Sequence, residues 1–149
     1  MRSERHSNDS RVHRDNVLFV CPSGLDRDLY VSALREAGFA TITAETPAAA
    51  TKWLEEAAVL DVLVVDLLPE PEDAWALIAR GCAPPSRIPV MVLTSLVRPD
   101  GSNRRRARAL GCAAFVAKPC SLRQLVDIVR RVQRGERNLE VVSYAESKF

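Results

Sequence analysis

At 149 residues with 47% hydrophobic composition, the chain is long enough for one well-buried core and too short for two ordinary domains. A formal net charge of +2, with arginine spread along the chain, lacks the lopsided basicity of a nucleic-acid binder, so nucleic acid is not an expected partner. No stretch nears the roughly 20 apolar residues of a membrane span, and no apolar core follows the arginines of MRSERHSNDSRVHRD, so a cytoplasmic protein without membrane contact is expected. The four cysteines, Cys21, Cys82, Cys112 and Cys120, have no C-x-x-C pairing and read as buried reduced thiols rather than metal ligands.

Residues 1–15 are polar, without apolar period, and read as a flexible N-terminal arm. Residues 16–134 form the predicted domain. Its first strand is VLFVC, Val17 to Cys21, and a helix follows from Asp26 to Ala37, with Leu29 or Tyr30, Ala33 and Ala37 facing inward and Gly38 as the stop. ATITA, Ala40 to Ala44, is the second strand. Thr46 then caps a helix that starts at Pro47 and runs to about Ala57. VLVVD, Val62 to Asp66, is the third strand, and the short helix Asp73 to Arg80 is expected to be cut off by Gly81 and the Pro84-Pro85 pair.

The fourth strand is PVMVLT, Pro89 to Thr94, followed by a helix from about Ser102 to Leu110 that ends at Gly111. AAFVA, Ala113 to Ala117, is the fifth. The last helix runs from Leu122 to about Arg134, opened by a Ser121/Gln124 capping box, buried along Leu122, Leu125, Val129 and Val132, and closed by Gly135. Residues 135–149 read as a tail whose apolar patch, Leu139 to Val142, could add a strand or dock on a partner, a plain tail being the simpler expectation. Strands apolar on both faces, alternating with helices, predict an α/β fold: a doubly wound, five-stranded parallel sheet.

In such a sheet, ligands gather at the carboxyl ends of the strands. Those ends carry Cys21 and Pro22, then Asp66, then Thr94 and Ser95, then Lys118 and Pro119. A carboxylate, a hydroxyl and an ammonium at three strand ends can meet at one point.

This pattern resembles the receiver domain of bacterial response regulators, over about Asn16 to Arg134, with flavodoxin-like topology. DVLVVDLL resembles the strand bearing the phospho-accepting aspartate, here Asp66. PVMVLTS resembles the strand ending in the hydroxyl residue that follows the phosphoryl group, here Thr94. ALGCAAFVAKPC resembles the segment with the switch aromatic, here Phe115, and the phosphate-pairing lysine, here Lys118, joined by a cis peptide to Pro119. EAGFATITAETPAAATKWL resembles the family's second strand and helix.

The resemblance departs at the metal. The family holds Mg²⁺ with an acidic pair after the first strand, where this chain has Cys21 and Pro22, neither of them a hard oxygen ligand. Asp26 and Asp28 lie close in sequence, but a helix starting there is expected to point them away. Pro69 also stands one position earlier than the family's usual proline, beside Glu70 and Pro71. The expectation is a stand-alone receiver-like domain in two-component phosphorelay signalling that is degenerate for Mg²⁺-dependent phosphorylation, carries no cofactor or metal, is not itself an enzyme and works by contact with a signalling protein, a histidine kinase or a downstream target. The alternative within the family is an ordinary receiver phosphorylated on Asp66.

VLFVCPSGLDR also resembles the opening of low-molecular-weight protein tyrosine phosphatases, with a Cys-x5-Arg spacing from Cys21 to Arg27. That enzyme reading needs a thiolate ringed by backbone N–H groups, one of which Pro22 removes, while Asp26 and Asp28 repel a dianion. GLDRDLYVSALREAGF faintly resembles a cobalamin-binding segment, but its ligating histidine is missing, since His6 and His13 sit in the arm. Finally, Arg104, Arg105, Arg106 and Arg108 mark an interaction face on the fourth helix, with Arg130, Arg131 and Arg134 on the last. Solvated surface is the bland reading of both groups. The residues do not specify an oligomeric state.

Overall fold

Strand and helix alternate along a computed structural model that describes residues 16–141, apart from 23, 57–58, 70 and 96–99. The predicted arm, 1–15, and residues 142–149 of the tail lie outside the described residues. The order is β1 (Asn16–Val20), α1 (Gly24–Glu36), β2 (Ala40–Ala44), α2 (Pro47–Glu55), β3 (Val62–Asp66), α3 (Pro71–Cys82), β4 (Val90–Thr94), α4 (Ser102–Leu110), β5 (Ala114–Ala117), α5 (Leu122–Gln133) and β6 (Leu139–Val141). All pairings are parallel, and the sheet order is β2-β1-β3-β4-β5-β6.

Strand alternation divides the core in two. Val17, Phe19, Val62, Val64, Met91, Leu93, Ala114 and Val116 pack with Tyr30, Val31 and Leu34 of α1 and with Leu125, Ile128, Val129 and Val132 of α5. Leu18, Val20, Leu63, Val65, Val90, Val92 and Phe115 pack on the other side, with Ala50 of α2, Trp75 and Ile78 of α3 and Ala107 of α4. Both faces are covered, which is why these strands read as unbroken apolar runs.

Among the described residues the sheet has six strands where five were expected. Residues 139–141, placed in the tail by the sequence, continue the sheet beyond β5 in the register Ala114↔Leu139, Phe115↔Glu140 and Val116↔Val141. Three residues carry too short a pattern to announce a strand, and the pairing is supplied by the open edge of β5. Leu139 and Val141 pack against the α1/α5 core, and Glu140 turns outward to Arg108 at 2.6 Å.

Helix ends also differ. α3 runs on through Gly81 to Cys82, because the missing side chain lets the helix lie close on the sheet: a Cβ at Gly81 would meet Leu63 Cδ2 at 2.9 Å and Val90 Cγ2 at 3.1 Å. α1 starts at Gly24, two residues earlier than expected, and its inward stripe is Tyr30, Val31 and Leu34, leaving Leu29 50% exposed. On α5 the Ser121/Gln124 capping box is formed, but Leu122 is 41% exposed and Ile128 takes the inward position instead. Leu122 sits in the first turn, beyond the edge of the core.

Candidate functional site

The chain passes from β1 to the sheet edge at β2 and returns to β3, so the order reverses between β1 and β3. A crevice opens at the carboxyl ends of two such strands. Cys21 follows β1 there and Asp66 ends β3. Strand alternation puts Cys21, Asp66 and Lys118 on the α1/α5 face, whereas Thr94 and Phe115 share the opposite one.

Asp66 is 6% exposed, and both its oxygens are engaged. Oδ1 accepts the Leu68 N–H at 3.0 Å, turning the chain directly after the strand. Oδ2 accepts from Lys118 Nζ at 2.7 Å and from the Cys21 thiol, with Sγ at 3.6 Å. The Lys118 side chain is itself only 13% exposed. Burial by itself would lower the pKa of its ammonium, but the hydrogen bond and charge of Asp66, joined by Cys21 and Asp26, outweigh that and hold it above the ordinary lysine value. The Lys118–Pro119 peptide is cis, as is Leu68–Pro69. Thr94 is fully buried at the end of β4, and its carbonyl accepts the Lys118 N–H at 2.8 Å.

Asp26 belongs to this cluster, contrary to the expectation that the helix points it away. Because α1 begins at Gly24, Asp26 falls in its first turn and brings Oδ2 to 3.8 Å from Lys118 Nζ. Only the helix start, a boundary that sequence patterns leave loose by a residue or two, hid it. Asp28 points away, to Arg27 at 3.9 Å. Tyr30, one helical turn on, sets its ring at 34° to that of Phe19, with centroids 6.0 Å apart, and has the Cys120 thiol as a neighbour of its phenol. Burial, then Cys120, Asp26 and Cys21, push its phenol from 10.0 up to about 12.

These residues do not fit Mg²⁺. A thiol stands where a hard oxygen is needed, and an ammonium rests against the buried Asp66 carboxylate. Among the described residues, no three His, Cys, Asp or Glu side chains gather to hold a metal ion. The phosphatase geometry gains no support either. The Cys21 thiol faces a carboxylate, and Arg27 reaches the Cys21 carbonyl at 3.4 Å and Glu45 at 3.4 Å rather than clamping an anion over the sulfur.

Phe115 is buried on β5 beneath α4. The four arginines of that helix do not share one face. Arg106 turns to α3, 3.4 Å from Glu72 and with its guanidinium 4.7 Å from the centre of the Trp75 ring, while Arg104, Arg105 and Arg108 line a cavity toward β6. On α5, Arg130 hydrogen-bonds the Ala37 carbonyl and lies 5.6 Å from the Phe39 ring centre, and Arg131 pairs with Glu136 at 2.9 Å. Of the other thiols, the neighbouring Cys82, followed by burial, raises the Cys112 pKa. All four cysteines are free thiols, Cys21 and Cys112 buried, Cys82 and Cys120 half-buried.

No family model matches the sequence, and no curated protein matches it. Solved structures do. A response regulator from Thermotoga maritima is 25% identical with a TM-score of 0.71, covering 80% of this chain and 98% of that one. The chemotaxis response regulator CheY4 of Vibrio cholerae is 22% identical with a TM-score of 0.68, over 78% of this chain and 97% of that one. A CheY-like receiver domain protein from Methanospirillum hungatei is 16% identical with a TM-score of 0.72, over 80% and 94%. The chain has the response-regulator receiver fold. The receiver fold accounts for the site's position at the carboxyl ends of β1, β3 and β5, since a doubly wound sheet of this order opens its crevice there. No helix among the described residues is long and apolar enough to cross a membrane.

Proposed function

We propose that this chain is a receiver-like domain of two-component signal transduction that acts by binding other signalling proteins and has lost Mg²⁺-dependent phosphorylation. The observation that carries the reading is the state of Asp66: its Oδ2 is already held by Lys118 and Cys21. Phosphoryl transfer to a carboxylate needs charge neutralised in the transition state, and here one ammonium must offset Asp66 and Asp26 before it can serve an incoming phosphoryl group. The domain then has no enzymatic role of its own, and the partner is a histidine kinase or a downstream target. Four large apolar side chains at the carboxyl end of the sheet support action by contact: Leu25 and Leu29 of α1, Leu68 after β3 and Leu122 of α5 are 74%, 50%, 37% and 41% exposed.

Intact-mass spectrometry after incubation with acetyl phosphate and Mg²⁺ tests this. Unmodified protein is expected. A near-stoichiometric phosphate adduct that vanishes in Asp66→Asn overturns the proposal and establishes the alternative, an ordinary receiver switched at Asp66.

A further inference from the structure

Cys82 ends α3 and Cys112 leads into β5, yet the two thiols are neighbours in the fold. The backbone brings them together, because both flank the start of β4: the Gly81 carbonyl accepts the Ile88 N–H at 2.8 Å, and the Ala113 N–H donates to the Val90 carbonyl at 2.8 Å. Both side chains pack into the same half of the core, on the α3/α4 side of the sheet. The other two thiols have different neighbours, Asp66 for Cys21 and Tyr30 for Cys120.

The members of the pair are not equivalent. Cys112 is 6% exposed, whereas Cys82 at the end of its helix is half-buried, so a small oxidant in water meets Cys82 first. The acidities run the same way: the Cys112 thiol lowers the Cys82 pKa against the effect of burial, while Cys82 and then burial raise that of Cys112. A more exposed, more readily ionised thiol beside a shielded one is the arrangement of an attacking sulfur and a resolving sulfur.

We propose that Cys82 and Cys112 form a reversible oxidation site at which hydrogen peroxide, or another small hydroperoxide, joins them in an intramolecular disulfide. The Cys82 thiolate attacks one peroxide oxygen and the O–O bond breaks; the departing hydroxide takes up the proton that Cys82 released, leaving a sulfenic acid and one water. The Cys112 sulfur then attacks the Cys82 sulfur, the S–O bond breaks, and the hydroxyl leaves with the Cys112 proton as a second water. The two sulfurs together lose two electrons, the peroxide gains them, and a dithiol reductant reverses the bridge by exchange. The bridge ties the end of α3 to the chain leaving α4, at the opposite end of the sheet from Asp66, so it stands independently of the chemistry of that carboxylate.

The test treats the full chain with hydrogen peroxide below its melting transition, blocks the remaining thiols with iodoacetamide in denaturant, and maps unreduced tryptic peptides by fragmentation. A link between Cys82 and Cys112 is expected, with Cys21 and Cys120 alkylated and the link removed by dithiothreitol. Cys112→Ala should leave a sulfenic acid on Cys82, trapped by dimedone, and Cys82→Ala should leave Cys112 unoxidised; if either variant does not fold, the wild-type map decides alone. Bridging closes a loop of chain through β4 and α4, so the oxidised protein should melt about 5 °C or more above the reduced one. Four alkylated thiols after treatment, a link between any other pair, a link only between two molecules, or a bridged form that melts no higher than the reduced one would each overturn the proposal.

Discussion

Lys118 Nζ stands 2.7 Å from Asp66 Oδ2 and 3.8 Å from Asp26 Oδ2, so one ammonium serves two carboxylates. Both members of the closer pair are largely buried, and removing one partner strands the other's charge. Lys118→Met is therefore expected to lower unfolding free energy by about 3 kcal/mol, toward the lower end for a broken buried pair because the lysine keeps some solvent contact. Urea unfolding at pH 7 measures it. Replacing Asp66 with Asn in the same background should recover part of the loss, and a Lys118→Met variant as stable as wild type would show that the pair contributes nothing.

At high pH two groups act in the same direction. Tyr30 and Lys118 both have pKa values raised in the folded state, so each contributes stability in full below its unfolded value and loses it as pH rises through the folded one. For Tyr30 the window runs from 10.0 to about 12. Stability should decline across it, and Tyr30→Phe should decline less. Ultraviolet titration of tyrosinate checks the pKa directly: the step near 12 should disappear in Tyr30→Phe.

Gly81→Ala is expected to destabilise by about 1–2 kcal/mol even though alanine is the better helix former. The added methyl would meet Leu63 and Val90 at 2.9 and 3.1 Å, inside the packed face of α3. Thermal unfolding compared with an exposed alanine substitution elsewhere on α3 separates the clash from propensity.

Cys21→Asp would place two carboxylates side by side where the thiol now donates to Asp66. In EDTA the variant should lose about 2 kcal/mol or more, since a buried charge without a partner costs at least as much as an unsatisfied polar group. Added Mg²⁺ should restore the loss in the variant and change nothing in wild type, read by denaturant midpoint. A wild-type midpoint that rises with Mg²⁺ would contradict the misfit of this site to that ion.

The fold was legible because its parts are local. β3 and β4 are apolar on both faces, Thr46 and Ser121 cap their helices as their side chains dictate, and alternation of period fixes a doubly wound sheet. The strand ends bearing Asp66, Thr94 and Lys118 followed from the same pattern; that Cys21 and Pro22 stand where an acidic pair is expected came only from the resemblance to the receiver family.

What the tertiary structure alone decided involves distance across the chain or the choice among faces. Asp26 reaches Lys118, 92 positions later, only because α1 starts at Gly24 and packs beside the β1 end, so its role had no local signature. β6 exists because β5 has an open edge, not because three residues insist on a strand. The arginine run 104–106 gives charge but not direction: a turn of 100° per residue sends Arg106 to Trp75 and leaves Arg104 and Arg105 over Gly101. Periodicity and capping are written in neighbours, so sequence determines them; convergence of charges depends on how helices settle on the sheet, and only packing decides that.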